Sequence, residues 1–260
     1  MYNFEFVKPG TVAEAVSALA QEEAQALGGG QTLLPTMKAR LAQMETLVSL
    51  NGISEMIGIR HEGGKLCIGG ATTHGAVAAD GSYPGLSSLA ARIGDPAVRN
   101  RGTIGGSLAN NDPSACYPAA ALASGATIVT DKREIAADDY FKGMFETALE
   151  DGEIITEVRF PVPEASNYQK FVQPASRFAL VGVFVAKFAE GVRVAVTGAS
   201  SDGVFRWTEA EDALNRDFSA SAVESLGVPA GDMIADLHGS AEYRAHLIKV
   251  LTGRAVSAAA

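Results

Sequence analysis

A glycine-rich stretch between Ile93 and Pro113 constrains this chain more than any other part of it. It joins a proline turn (Asp95-Pro96), two arginines and the run Gly102-Thr103-Ile104-Gly105-Gly106-Ser107, and it closes on Asn110-Asn111-Asp112-Pro113. Glycines at this density let backbone N–H groups approach a ligand closely, and successive free N–H groups form an anion-binding concavity. A second cluster, Gly28-Gly29-Gly30-Gln31-Thr32-Leu33-Leu34-Pro35, lies well upstream. Two such clusters in one domain suggest a ligand with two phosphates held from both sides, which points towards a dinucleotide.

The bulk of the sequence narrows the remaining choices. Its 260 residues suffice for one large domain or two moderate ones, and 47% hydrophobic with 20% charged residues suits a globular protein. A formal net charge of −9 without a Lys/Arg-rich run argues against nucleic-acid binding. No apolar run approaches the roughly 18 residues needed to span a bilayer. Met1 to Pro9 lacks the basic start and apolar core of a signal peptide, so a cytoplasmic location is expected. Cys67 and Cys116 are too few for a disulfide framework or, alone, for an iron–sulfur cluster. The four histidines (His61, His74, His238, His246) form no metal-ligand spacing, so no metal site is expected here and any redox metal must sit on another chain.

Periodicity and turn residues give a coarse map. Residues 11–25 read as an amphipathic helix with Thr11 as N-cap and Glu14 completing a capping box. A strand from Ala24 to Leu27 runs into the first glycine cluster, a helix spans Leu33 to Leu41 and a buried strand covers Thr46 to Leu50, an order that favours parallel pairing with ligand atoms at the loop after the first strand. Further strands are expected at Lys65–Gly69, Thr127–Thr130 and Ile154–Phe160, and helices at Leu86–Ile93 and Ala119–Ser124. Pro161 and Pro163 mark the best domain boundary. Beyond it, Tyr168–Pro174, Leu180–Phe188 and Val192–Gly198 read as an antiparallel sheet, followed by helical patterns near Thr208–Leu214 and Tyr243–Leu251.

Taken singly, these motifs have ordinary readings too. Gly28-Gly29-Gly30 also suits a plain strand-to-helix turn; it is neither a P-loop, since no Gly-Lys-Ser/Thr follows, nor the Rossmann fingerprint. Arg99 and Arg101 are phosphate ligands, a docking surface or solvated charges. His74 either touches a cofactor or is a hydrogen-bonded structural residue, and the latter is favoured. Cys67, Phe205, Trp207, His238 and His246 are read as structural. No catalytic triad or paired carboxylate can be assembled, so any hard chemistry belongs to a bound cofactor.

Assembled in order along the chain, the motifs resemble the FAD-binding medium subunits of molybdenum hydroxylases, including those of carbon monoxide dehydrogenase and the flavin domain of xanthine dehydrogenase. The resemblance rests on Gly28 to Pro35 continuing through Met37-Lys38-Ala39-Arg40-Leu41-Ala42, on Ile68-Gly69-Gly70-Ala71-Thr72-Thr73-His74, on Arg99 to Gly106, and on Asp236-Leu237-His238-Gly239-Ser240-Ala241-Glu242-Tyr243-Arg244. It implies an α+β fold: a two-part FAD-binding domain of the molybdopterin-dehydrogenase (PCMH-like) type over residues 1–160, with subdomains of about 1–55 and 56–160, then a smaller sheet-plus-helix domain over 164–260. It implies that Gly28, Gly29, Gly30, Gln31, Thr32 and Leu33, with Thr103, Ile104, Gly105 and Gly106, bind the FAD pyrophosphate. Thr72, Asn110, Cys116 and Phe178 would lie near the ribityl or flavin portion. The implied partners are a molybdopterin-binding large subunit and a small subunit with two [2Fe-2S] clusters, in a dimer of heterotrimers that passes electrons through FAD to an external acceptor.

The sequence departs from the family pattern at three places. Cys116 replaces the common Asp of Asn-x-x-Pro-x-x-Asp, Gln31 and Thr32 replace His and Ser, and Arg177 stands where an acidic residue is common. Two other functions therefore stay open: a flavin-free subunit kept for assembly, and a stand-alone flavin oxidase.

Overall fold

The computed structural model describes residues 1–259, so the last residue of the expected C-terminal part, Ala260, lies outside the described residues. The fold is α+β, organised around three main sheets. In the first, β1 (Glu5–Val7), α1 (Val12–Leu19), β2 (Ala24–Leu27), α2 (Leu33–Lys38) and β3 (Thr46–Ser49) follow one another, and β3 pairs in parallel with both β1 and β2. All four residues of β3 are buried, so both faces are covered. α1 buries Ala15 and Leu19 against Val48, Ile53 and Met56, each large side chain contributing ~1.5–3 kcal/mol.

The sequence places α1 and α2 correctly but overruns their ends. α1 stops at Leu19 rather than reaching residue 25, because the chain must turn to lay Ala24 beside Thr46; Glu23, at φ +53°, makes that turn. Thr11 Oγ1 accepts from Glu14 N at 3.2 Å as expected, whereas the Glu14 carboxylate reaches past the cap to Gly10 N at 2.7 Å. α2 ends at Lys38 rather than Leu41, closed by Arg40 at φ +59° and a bond from Leu41 N to Thr36 O.

The second sheet has the order β4-β5-β10-β6-β7, built from β4 (Ile59–Glu62), β5 (Lys65–Gly69), β6 (Thr127–Thr130), β7 (Glu134–Ala136) and β10 (Ile155–Pro161), all antiparallel. Between β5 and β6 run α3 (His74–Asp80), α4 (Pro84–Ala91), α5 (Pro96–Arg99), α6 (Ile104–Asn110) and α7 (Tyr117–Ser124). After β7 come α8 (Ala137–Tyr140) and the small hairpin of β8 (Phe141–Gly143) and β9 (Glu146–Thr147). Thr73 and Thr103 cap α3 and α6 by accepting from Ala76 N and Gly106 N. α4 begins two residues earlier than expected because Pro84 sits at its first turn, where a missing N–H costs nothing.

The third sheet is antiparallel: β11 (Ala165–Val172), β12 (Ala179–Phe188), β13 (Gly191–Ser200) and β14 (Gly203–Arg206) in that order. Val181, Val183 and Val185 of β12 face a cluster containing Trp207, α9 (Thr208–Arg216) and α10 (Ala241–Ala259). The alternate residues Phe184 and Ala186, with Tyr168 and Ala195, join the core of the second sheet beside Tyr83 and Tyr117. The third sheet is therefore covered on both faces, and its core is continuous across the short link that holds Pro161 and Pro163. Arg244, 2% exposed, ties α10 to this sheet by donating to Leu180 O, Gly198 O and both Asp236 oxygens.

Candidate functional site

The two glycine clusters meet. Gly28–Thr32 leaves the end of β2, and Gly102–Thr103 leads into α6. A Cβ built on Gly29 would stand 2.1 Å from Arg101 O and 2.4 Å from Gly102 Cα, so only glycine permits the approach. A Cβ on Gly105 would stand 2.6 Å from Gly70 O. Bonds from His74 N to Gly102 O, Ile104 N to Thr72 O and Gly105 N to Gly70 O lock the second loop against the segment following β5. These glycines serve first to bring backbone against backbone.

The clusters differ in what they leave free. In the second, the N–H groups of Ile104, Gly105, Gly106 and Ser107 all bond within the protein, to Thr72 O, Gly70 O, Thr103 Oγ1 and Thr103 O. In the first, the N–H groups of Gly28, Gly29, Gly30, Gln31, Thr32 and Leu33 have no acceptor among the described residues. Six consecutive donors without an internal acceptor thus run into the start of α2, and donors left free in this way are available to an anion. The Gln31 amide folds back to donate to Gly29 O at 3.0 Å.

This row opens into a cleft of ≈ 1200 Å³, above the range of drug-sized pockets. Gly28 to Leu33, Thr103, Gly105, Gly106, Asn110, Cys116 and Phe178 all border it. Ile104 does not: it is fully buried in the core beneath α6. Nor does Thr72, whose hydroxyl is held by Gly58 N and Gly58 O and which borders a separate, smaller hollow with Asn51, Ile57 and Arg101. Neither arginine borders the main cleft; Arg99 donates to Ile93 O and Gly94 O, and Arg101 is exposed.

Of the rest of the wall, residues 149–155 and Lys170 are not among the residues the sequence singles out, and for His74 the sequence favours a structural role. His74 borders the cleft at the N-terminus of α3, 5% exposed, its ring 5.2 Å from that of Tyr117. Burial, helped by the charge of Arg99, pushes its pKa down to about 4, so the ring is neutral at neutral pH; its Nδ1 has no partner among the described residues. Leu149 to Ile155 forms another stretch of wall, pinned through Glu153, which accepts from Arg133, Thr130 Oγ1 and Glu150 N. Cys116, 5% exposed, lies 3.5 Å from Lys170 Nζ. Phe178 comes from the 173–178 hairpin loop, where Ser176 and Arg177 both have positive φ, and its ring meets His238 edge-on at 5.6 Å. Lys170 carries one signal visible beforehand, an inward register with Tyr168 on an alternating strand.

The family model for the FAD binding domain in molybdopterin dehydrogenase matches residues 2–163. The chain belongs to this family. Its cofactor is FAD, and the row of free amides, the size of the cleft and the unpartnered His74 Nδ1 fit that molecule. Relatives match nearly end to end. The carbon monoxide dehydrogenase medium chain of Hydrogenophaga pseudoflava is 33% identical over 98% of this chain and 96% of its own length. The nicotine 6-hydroxylase medium subunit of Paenarthrobacter nicotinovorans is also 33% identical, over 96% and 95%. Among solved structures, a chain of quinoline 2-oxidoreductase from Pseudomonas putida 86 superposes with a TM-score of 0.88 at 29% identity, covering 99% of this chain and 97% of that one. A chain of the Hydrogenophaga pseudoflava carbon monoxide dehydrogenase gives 0.87 at 32%, with the same coverage. The family is one of oxidoreductase subunits, and no helix among the described residues is long and apolar enough to cross a membrane.

Proposed function

We propose that this chain is the electron-transfer subunit of a molybdenum hydroxylase, receiving electrons from the [2Fe-2S] clusters of a small partner subunit and delivering them through FAD to an external acceptor. Substrate oxidation would take place on a molybdopterin-binding large subunit, in a cytoplasmic dimer of heterotrimers. The names of the relatives, medium chains and medium subunits of multi-subunit dehydrogenases and hydroxylases, support this division of labour. Residues 1–55 and 56–160 would form the two lobes around FAD, with 164–260 closing one side through Lys170 and Phe178.

The single observation that carries the site assignment is the row of six free N–H groups from Gly28 to Leu33, on residues that all border the cleft. They would take the pyrophosphate oxygens, charge-assisted bonds worth ~1.5–3 kcal/mol each. The second cluster would contribute the hydroxyls of Thr103 and Ser107 and the N-terminus of α6 rather than its amides. FAD supplies the two-electron and one-electron chemistry when bound; the protein binds it, orients it and excludes water.

Gly106 provides the test. A Cβ there meets only Thr103 Oγ1, at 2.9 Å, whereas one on Gly105 strikes the Gly70 backbone. Gly106→Val should therefore fold and project methyl groups into the cleft. Purified Gly106→Val is expected to show native circular dichroism and at least tenfold weaker FAD binding, read from the visible flavin absorption. A folded variant that retains stoichiometric FAD refutes the placement, and a wild-type chain that binds none in the presence of excess FAD favours the flavin-free assembly role.

A further inference from the structure

Two buried donors with unused hydrogen-bonding capacity flank one sulfur atom at the edge of the cleft. Cys116, where the sequence leaves the family pattern, is 5% exposed and borders the cavity just before α7. Lys170 Nζ donates to its Sγ at 3.5 Å and to Arg92 O at 3.0 Å. Arg92 donates in turn to Tyr168 O at 2.7 Å, so the end of α4 and strand β11 hold each other and fix Nζ. An ammonium has three N–H bonds, and the third finds no acceptor and no carboxylate among the described residues. The Tyr168 hydroxyl is the second unused donor: it is buried beside Cys116 and has no partner among the described residues. Burial, then the adjacent Cys116, pushes its pKa well above the usual tyrosine value, so it keeps its proton.

A buried donor without an acceptor is costly, and the two here share one neighbour. An oxygen atom bonded to Cys116 Sγ would accept from both. A cysteine sulfur gains one such oxygen when it reacts with hydrogen peroxide, and the cleft gives that small molecule a way in. Cys67 lacks every part of this setting. It is 2% exposed inside β5, does not border the cleft, and burial pushes its pKa up. With no second thiol on the cleft, an oxidised Cys116 has no partner for an internal disulfide and stops at the sulfenic acid.

We propose that Cys116 is a modification site for hydrogen peroxide, where Lys170 and Tyr168 hold a reversible sulfenic acid in the cleft wall. Sulfur attacks one peroxide oxygen, so an S–O bond forms as the O–O bond breaks. Sulfur gives up two electrons, and the thiol proton ends on the departing oxygen, which leaves as water. The Lys170 ammonium stabilises the negative charge that builds on that oxygen, a fixed donor in a site largely shielded from solvent. The Tyr168 hydroxyl donates to the new oxygen and lowers its sulfur's reactivity towards more peroxide. An external thiol returns Cys116 to its starting form. The reaction needs only access for peroxide, so it stands apart from the FAD reading.

The test uses the full chain, reduced, freed of reductant and treated with hydrogen peroxide. Dimedone traps the sulfenic acid, and peptide mass spectrometry reads positions 116 and 67 separately. Cys116 in the folded chain should react about tenfold faster than in the urea-unfolded chain, and faster than folded Cys67. Lys170→Met should remove most of that gain, and Lys170→Arg, which keeps the charge, should retain most of it. Tyr168→Phe should leave the first step within a few-fold of wild type but shorten the life of the sulfenic acid, read by delaying the dimedone. Without dimedone, dithiothreitol should restore the free thiol. If Lys170→Met does not fold, the comparison of folded with unfolded wild type decides by itself. Oxidation of folded Cys116 no faster than unfolded overturns the proposal, as does adduct that accumulates at Cys67 instead. So does an unchanged rate in a folded Lys170→Met, or a wild-type product that dithiothreitol does not reverse.

Discussion

Acidification should loosen one wall of the cleft before it unfolds the rest of the chain, and Glu153 sets where. Its side chain is fully buried, and its carboxylate accepts from Arg133 Nε and Nη2 at 3.0 Å each, from Thr130 Oγ1 at 2.7 Å and from Glu150 N at 2.8 Å. Burial alone would raise its pKa; the hydrogen bonds from Arg133, Glu150 N and Thr130 outweigh that and hold it at about 2, against 4.5 for a free glutamate. The folded chain therefore binds this proton more weakly than the unfolded chain. The stabilisation is fully present above 4.5 and is lost as pH falls towards 2. At ~1.4 kcal/mol per pH unit the gap amounts to about 3 kcal/mol. Urea unfolding across this range should show the wild type losing that amount, with Glu153→Gln already destabilised by a similar amount at neutral pH and much flatter between 4.5 and 2. A Glu153→Gln variant with wild-type stability at neutral pH, or with the same acid slope as wild type, refutes the reasoning.

Further outcomes follow from other buried groups. The His74 ring should titrate near 4 in proton NMR, and since its folded pKa lies below the free value of 6.5 its contribution, about 3 kcal/mol, is lost as pH falls from 6.5 towards 4; a titration near 6.5 contradicts the burial seen here. Asn111→Ala should cost about 2–4 kcal/mol in thermal melting, since it removes donors to Gly143 O and Glu146 O and puts alanine at φ +41°; Asn111→Gly should recover only the backbone part. Arg244→Met should cost about 3–5 kcal/mol by leaving Leu180 O, Gly198 O and Asp236 without their buried partner, and a loss under 1 kcal/mol would sink that account.

What the sequence made visible is what local rules control. The β2–α2–β3 unit is parallel as expected because a glycine turn, a helical period and an apolar run occur in the right order, and the long strands β12 and β13 announce themselves by β-branched residues. Strands β7, β8, β9 and β14 are two to four residues long, too short for any period to register. The helices after Thr73 and Thr103 were hidden because glycines at positions 75, 105 and 106 read as loop, while the structure uses the missing side chains of Gly75 and Gly105 to seat each helix against neighbouring backbone. For the same reason the second glycine cluster was credited with free amides that it does not have. Lys170 shows in the sequence only as an inward position on an alternating strand, because Arg92 and Cys116, which define its surroundings, are distant in sequence.

The core that runs unbroken from Tyr83 and Tyr117 to Phe184 has a consequence for dissecting this protein. The family model ends at residue 163, but the folding unit does not. A fragment cut there would leave Tyr83 without the Phe184 ring that it meets edge-on at 6.0 Å, bare the buried α7, and lose the cleft wall that carries Lys170 and Phe178. Such a fragment would expose a sticky apolar face and be prone to aggregate. The boundary along which these subunits are recognised in sequence is thus not a boundary along which this one can be separated, and any transplanted version of the cleft must carry the third sheet with it.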